Sequence, residues 1–178
     1  MSAADCVVAY LGLGSNVGDR LGILRCAASS LRARGLEIRR VSDVYETRYR
    51  GPGGPQPDYL NAVVQVETTF VPLYLLREIQ EVERALGRRP NTHMQPRTLD
   101  VDILFYGGWV IRHSELIVPH PRVTERRFVL EPLATLVDLD TLPLPGLKAR
   151  LQGLRATQRV ARAESLAVNG DLLETPAC

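Results

Sequence analysis

The sequence predicts an α+β domain, an antiparallel sheet with helices packed on one side of it. Three observations carry this. Period-two and helix-period apolar patterns follow one another in the order strand, helix, strand, strand, helix, strand. The segment between the second and third strands, Tyr49-Arg50-Gly51-Pro52-Gly53-Gly54-Pro55-Gln56-Pro57-Asp58, is too rich in Gly and Pro for a helix, so these strands form a hairpin. A doubly wound sheet needs a helix there and is excluded. Lastly, 178 residues with 45% hydrophobic and 24% charged content suffice for one globular domain with a full core.

The first strand is the apolar run over 7–13. Gly12, Gly14 and Gly18 follow around Ser15 and Asn16. A dinucleotide fingerprint would need a third glycine where Val17 stands, and no G-x-x-x-x-G-K-[ST] loop exists. The glycines instead suit close approach of backbone to a ligand or a neighbouring strand. Asn16 or Asp19 caps a helix over 19–34, which carries Leu21, Leu24, Ala28 and Leu31 and stops at Gly35. The second strand spans 36–48. The third spans 59–67, with Tyr59, Asn61, Val63 and Gln65 on one face and Ala62, Val64 and Val66 on the other.

Pro72 fits the first turn of a helix over 71–86, whose core stripe is Leu75, Ile79, Val82 and Leu86. Gln80 and Glu83 lie three apart on its surface, either as a wet flank or as an edge of a site. A fourth strand follows the basic connection over 87–97. Beyond Gly107-Gly108 come a short return strand over 109–111, His120 between Pro119 and Pro121, a short helix over 126–136 and a weak one over 147–155. The element order is the ferredoxin-like βαββαβ arrangement, with C-terminal additions. Residues 1–156 are assigned to the domain and 157–178 to a tail, where periodicity fades and fraying is expected.

The chemistry concentrates in Arg97-Thr98-Leu99-Asp100-Val101-Asp102-Ile103-Leu104-Phe105-Tyr106. Leu99, Val101, Ile103 and Phe105 alternate toward the core, which puts Asp100 and Asp102 side by side on the other face, about 7 Å apart along the strand. Two such carboxylates repel unless a cation sits between them. Their hard oxygens suit Mg²⁺, which leaves its other positions to water and phosphates. A polar, solvated strand face is the competing reading. The arginines and histidine of the 87–97 connection suit a phosphate clamp beside that pair. Tyr59 and Asn61 offer a flat surface and a two-sided amide, as a planar polar heterocycle would need, or else form a structural pair.

The net charge of +2 does not argue for nucleic acid. No apolar run is long enough to span a bilayer and no signal peptide is visible, so a cytoplasmic protein is expected. Cys6, Cys26 and Cys178 are odd in number and lack metal-ligand spacing, and are read as free thiols in a reducing compartment.

Several segments together resemble one family, 6-hydroxymethyl-7,8-dihydropterin pyrophosphokinase. They are Gly12-Leu13-Gly14-Ser15-Asn16, Pro57-Asp58-Tyr59-Leu60-Asn61-Ala62, the stretch over 83–88, Pro96-Arg97-Thr98-Leu99-Asp100-Val101-Asp102-Ile103-Leu104, and Val118-Pro119-His120-Pro121 with Glu125-Arg126-Arg127-Phe128-Val129-Leu130. The resemblance runs over about 7–138 and is specific through the order and spacing of five segments. It implies transfer of the terminal pyrophosphoryl group of ATP to the hydroxymethyl group of the pterin, giving AMP and the pterin diphosphate in folate biosynthesis. Two Mg²⁺ ions are implied on Asp100 and Asp102. Arg88 and Arg97 would stabilise the phosphates, with Gln80, Glu83 and Ile103 along the nucleotide and His120 and Arg126 facing the triphosphate. Tyr59 and Asn61 would hold the pterin, Phe128 would stack on its ring, and Gly14 and the stretch 44–47 with Thr47 would line the pocket. A monomer acting on small molecules, without nucleic acid or membrane, is expected.

The chain departs from the family at His93, Met94 and Gln95, where an arginine, an aromatic and a glycine are usual, which bears on closure of the 87–97 loop. Two other classes compete. An RNA-binding module on the same fold needs sheet-face aromatics, and aromatics are only 6% here. A D-x-D sugar-nucleotide transferase shares the metal logic but is normally larger.

Overall fold

In the computed structural model, residues 6–49, 54–88 and 96–166 are described. The elements are β1 (Val7–Ser15), α1 (Arg20–Ala33), β2 (Glu37–Val41), β3 (Asp43–Thr47), β4 (Tyr59–Thr68), α2 (Pro72–Ala85), β5 (Asp100–Tyr106), β6 (Ile111–Arg112), β7 (Ile117–Val118), α3 (Arg127–Leu133), α4 (Leu147–Thr157) and β8 (Ala161–Ser165). The main sheet runs β5-β1-β4-β3-β8, with β2 on the remaining length of β4. Every neighbouring pair in it is antiparallel. β6 and β7 form a separate two-stranded ribbon.

Local chemistry explains most of the boundaries. The Asp19 side chain accepts from Gly22 N–H at 3.0 Å and starts α1, so Asp19 and not Asn16 is the cap. Pro72 opens α2 as its first residue. Gly35 and Gly87, just past the two helices, take φ of +91°, which a residue with a Cβ adopts only at a cost.

Several sequence expectations are corrected. The single strand expected over 36–48 is broken at Ser42. There the Ser42 N–H donates to the Val63 carbonyl while the Ser42 hydroxyl accepts from Val63 N–H, both at 2.9 Å, so a side chain replaces one rung of the ladder. Phe105 does not share a face with Leu99, Val101 and Ile103. Tyr10 pairs with Phe105 but Leu11 with Ile103, and the extra residue Leu104 makes a bulge that turns Phe105 to the other side.

Helices also cover both faces rather than one. α1 and α2 bring Leu24, Leu31, Leu75 and Ile79 onto Leu11, Val64 and Val101. α3 and α4 bring Leu130, Leu133, Leu147 and Leu151 onto Tyr10, Val63, Leu104 and Phe105. The tail read as fraying from Thr157 contributes β8, paired with β3. Among the described residues no helix is long and apolar enough to cross a membrane. Cys6 is a free, exposed thiol, whereas Cys26 is disulfide-bonded, against the expectation of free thiols.

Candidate active site

The register of three central strands builds the floor of the site. Gly14 of β1 pairs with Asn61 of β4 on one side and Asp100 of β5 on the other. Two pairs along, and so on the same face, Gly12 lies between Val63 and Asp102. Directly paired residues present their side chains on the same face. Asn61 and Asp100 therefore rise on either side of a residue with no side chain. A Cβ on Gly14 would sit 3.5 Å from Asn61 Oδ1 and 3.7 Å from Tyr59 Cδ1, inside the space between the amide and the carboxylate.

Asp100 and Asp102 are ringed by the cations expected near them. Arg97 reaches Asp100 Oδ1 at 2.5 Å and Arg88 reaches the same oxygen at 3.1 Å. Arg126 meets Asp102 Oδ2 at 3.0 Å, with His120 Nε2 at 3.6 Å. The carboxylates keep 29% and 33% of their side-chain surface in solvent, so a ligand can reach them without unfolding the strand. Burial holds the His120 imidazole below its ordinary range against the pull of Asp102, and Arg126 and Arg122 push it the same way. The His120 N–H donates to the Leu104 carbonyl at 3.0 Å, which ties this loop to β5.

Glu83 on α2 is buried beneath Arg88. Its Oε1 accepts from Val101 N–H at 2.9 Å and also takes the Arg88 guanidinium. Burial pushes this carboxyl above the ordinary range, opposed by the Val101 N–H and Arg88. Glu83 thus fixes the backbone between the two aspartates and aims Arg88 at one of them.

On the other side of Gly14, the buried Asn61 amide donates to Thr47 Oγ1 at 2.9 Å and to the Tyr45 carbonyl at 3.3 Å. Its Oδ1 is left facing Gly14. The Tyr59 ring lies 6.2 Å from that of Tyr49, tilted by 31°. Phe128, at the start of α3, is half-buried, and the Arg126 guanidinium stands 5.7 Å over its ring. Arg126 therefore links the aromatic to Asp102.

The structure gathers Gly14, Thr47, Tyr59, Asn61, Glu83, Arg88, Arg97, Asp100, Asp102, His120, Arg126 and Phe128 around the ends of β1, β4 and β5. Two expected residues stand apart. Ile103 has its side chain buried in the core under α1 and α2, away from the aspartates, because alternation along β5 requires it. Gln80 is exposed on α2, and its carbonyl accepts from Arg84 Nε at 3.3 Å. His93, Met94 and Gln95 lie outside the described residues. Cavities of about 510 and 580 Å³ open along α4, lined by residues such as Ala149 and Leu136, and not by Asp100 or Asp102.

Asn16 and Arg20 were not read from the sequence as site residues. Asn16 accepts from Arg97 N–H at 2.7 Å, and Arg20 donates to the Asp58 carbonyl at 2.7 Å and to Glu46 at 2.9 Å. These partners are tens of residues away in sequence, so no local pattern signals them.

The donor set bears on which metal fits. Among the described residues no three His, Cys, Asp or Glu side chains converge on one point, so a closed cage is not formed. Two partly exposed carboxylates on one strand suit a hard ion that takes the rest of its oxygens from water and phosphate. Mg²⁺ fits that description.

Known proteins share the sequence and the fold of this chain. A family model described as 7,8-dihydro-6-hydroxymethylpterin-pyrophosphokinase (HPPK) matches residues 10–138. A 2-amino-4-hydroxy-6-hydroxymethyldihydropteridine pyrophosphokinase of Bacillus subtilis is 43% identical over 130 residues, covering 71% of this chain and 76% of that protein. The enzyme of the same name from Aquifex aeolicus is 43% identical over 124 residues, with 70% and 76% covered. A folic acid synthesis protein of Pneumocystis carinii is 37% identical over 149 residues, 82% of this chain, which spans 20% of that longer protein. A crystal structure of Plasmodium falciparum HPPK-DHPS superposes with a TM-score of 0.67 at 16% identity, over 87% of this chain and 46% of that one, a likeness of fold. The chain belongs to the 7,8-dihydro-6-hydroxymethylpterin-pyrophosphokinase (HPPK) family, whose reaction is pyrophosphoryl transfer from ATP to hydroxymethyldihydropterin in folate synthesis.

Proposed function

We propose that this chain itself performs that transfer at the ends of β1, β4 and β5, with Asp100 and Asp102 as the ligands of two Mg²⁺ ions. The observation that carries the reading is the row Asn61–Gly14–Asp100, which sets an amide fit for a heterocycle beside a carboxylate fit for a metal. Held by Asp100 and Asp102, Mg²⁺ would supply the positive charge that offsets the charge building on the phosphates.

The protein's own groups do the rest. Arg88, Arg97, Arg126 and His120 now contact the two carboxylates, and each is placed to turn its donors to a triphosphate brought beside them. Gln80, Glu83 and Ile103 belong to the nucleotide side of this reading, Ile103 through its backbone only. Tyr59, Asn61 and Phe128 hold the bicyclic ring, with Gly14 and Thr47 lining the space. The pterin hydroxyl oxygen then bonds to the β-phosphorus as the bond from that phosphorus to the α,β-bridging oxygen breaks; AMP leaves with that oxygen, and the hydroxyl proton is released to solvent.

The reading extends to a ferredoxin-like βαββαβ core, which the order β5-β1-β4-β3 supports once β2 and β3 are taken as one broken strand. It also includes a cytoplasmic monomer that needs no nucleic acid or membrane. The test is AMP release from ATP and hydroxymethyldihydropterin. Asp100→Ala and Asp102→Ala are expected to abolish transfer while circular dichroism and melting stay near wild type. Full activity in both variants removes the metal assignment, and a wild-type chain that releases no AMP removes the function.

A further inference from the structure

Asn16 joins the two halves of the candidate site. It lies in the turn between β1 and α1 and is 1% exposed. Its Oδ1 accepts from Arg97 N–H at 2.7 Å, and its own N–H donates to the Arg97 carbonyl at 3.2 Å. One residue thus grips both backbone groups of Arg97, as a paired strand would. Its Nδ2 donates to Gln56 Oε1 and to the Pro57 carbonyl, both at 3.3 Å.

The two gripped segments lead to different chemistry. Arg97 is three residues before Asp100 and pairs with it. Pro57 is two residues before Tyr59, the first residue of β4. A primary amide offers an acceptor at one corner and donors at the other, so it can hold both segments at once. The duty of capping α1 is already met by Asp19, and the buried polar groups of Asn16 serve these two segments instead. Arg20 braces the same loop through the Asp58 carbonyl.

We propose that Asn16 is a positioning residue that fixes the phosphate half of the site, entered at Arg97, against the heterocycle half, entered at Tyr59. It acts through those segments and touches neither substrate. This rests on the function proposed above, since its consequence is that the alcohol and the triphosphate are held in line.

The experiment uses the full chain with Asn16→Ala and Asn16→Asp. Amide hydrogen exchange is read without ligands, and kcat and both KM values are read with ATP and the pterin. Asn16→Ala is expected to speed exchange at Arg97 and over 58–60 together, and to lower kcat about 10- to 100-fold through misplacement. Asn16→Asp keeps an acceptor for Arg97 N–H but has no donor for Pro57. It should leave Arg97 protected, free only 58–60, and raise the KM for pterin more than that for ATP.

Unchanged exchange in both segments, or an Asn16→Ala variant with wild-type kcat and KM values and only a lower melting temperature, overturns the proposal. Should Asn16→Ala not fold, the split in Asn16→Asp decides: equal shifts in both KM values, or none, overturn it. A wild-type chain that binds neither substrate overturns the function and this inference with it. An active wild type whose Asn16 variants exchange at Arg97 and 58–60 as it does overturns this inference alone.

Discussion

Gly14 occupies the one position between Asn61 and Asp100 where a side chain would fill the site rather than the core. It is not among the residues with positive φ, so alanine suits its backbone. The added Cβ would meet Asn61 Oδ1 and Tyr59 Cδ1 at 3.5 and 3.7 Å, ordinary contact distances. Gly14→Ala should therefore fold normally and raise the KM for pterin about tenfold, the scale of one misplaced methyl group in a fitted pocket. Steady-state kinetics beside a melting curve checks this, and an unchanged KM would remove Gly14 from the lining. Asp100 and Asp102 were legible in the sequence because alternation fixes the side of a strand on which each residue lies. Asn16 was not, because its role rests on hydrogen bonds across 40 to 81 residues.

At the scale of elements, the second face of the sheet depends on how α3 and α4 are joined. Glu131 on α3 takes Arg127 Nε at 2.8 Å from its own helix and the Arg155 guanidinium from α4. The hydrogen bonds from Arg155, and then those from Arg127, hold its carboxyl below the ordinary glutamate range. A lowered carboxyl pKa means a stabilising contribution that is present above the ordinary value and lost as pH falls through the lowered one. Arg155 is half exposed, so solvent screens the pair and its worth is about 1 kcal/mol. Glu131→Gln should melt a few degrees below wild type at pH 7. The gap should close as the pH falls below the glutamate range, where wild-type Glu131 is itself neutral. Calorimetry at both ends of that range tests it, and a gap independent of pH would assign the loss to packing.

The same face shows why some elements escaped the sequence. All five residues of β8 are exposed, so it carries no buried alternation for a pattern to detect. The Leu104 bulge likewise leaves the apolar run of β5 unbroken while exchanging its faces. By contrast α1 and α2, with their stripes, caps and closing glycines, were set out almost residue by residue.

For the molecule as a whole, the edges of the sheet bear on whether copies associate. β8 forms one edge, and its register on β3 skips Ala163 between Arg162 and Glu164. A bulge and charged side chains on a short outer strand discourage pairing with another chain. Arg162 is moreover paired with Asp43 of β3 at 2.8 Å. At the β5 edge the Leu104 carbonyl is taken by His120 N–H. Sedimentation equilibrium should return a monomer at concentrations up to about 100 μM, where an edge-to-edge pair of micromolar affinity would already be dimeric.

The domain's stability also reaches beyond the residues that the family model matches. α4 begins at Leu147, past residue 138, yet Leu147 and Leu151 are buried against Leu130, Leu133 and Phe105. Gln158, just after α4, accepts from Arg127 N–H at 2.9 Å and donates to the Glu125 carbonyl at 2.8 Å. Those two bonds bracket Arg126, the partner of Asp102. Leu151→Ala removes a buried side chain and should cost about 2–5 kcal/mol. Gln158→Ala leaves that core intact but frees the backbone on both sides of Arg126. It should lower kcat while melting within a few degrees of wild type. The two variants separate the roles of the segment: Leu151→Ala should be unstable but fully active per folded molecule at 25 °C, and Gln158→Ala stable but slow. Equal specific activities in both would mean that α4 only covers the sheet and has no hold on Arg126.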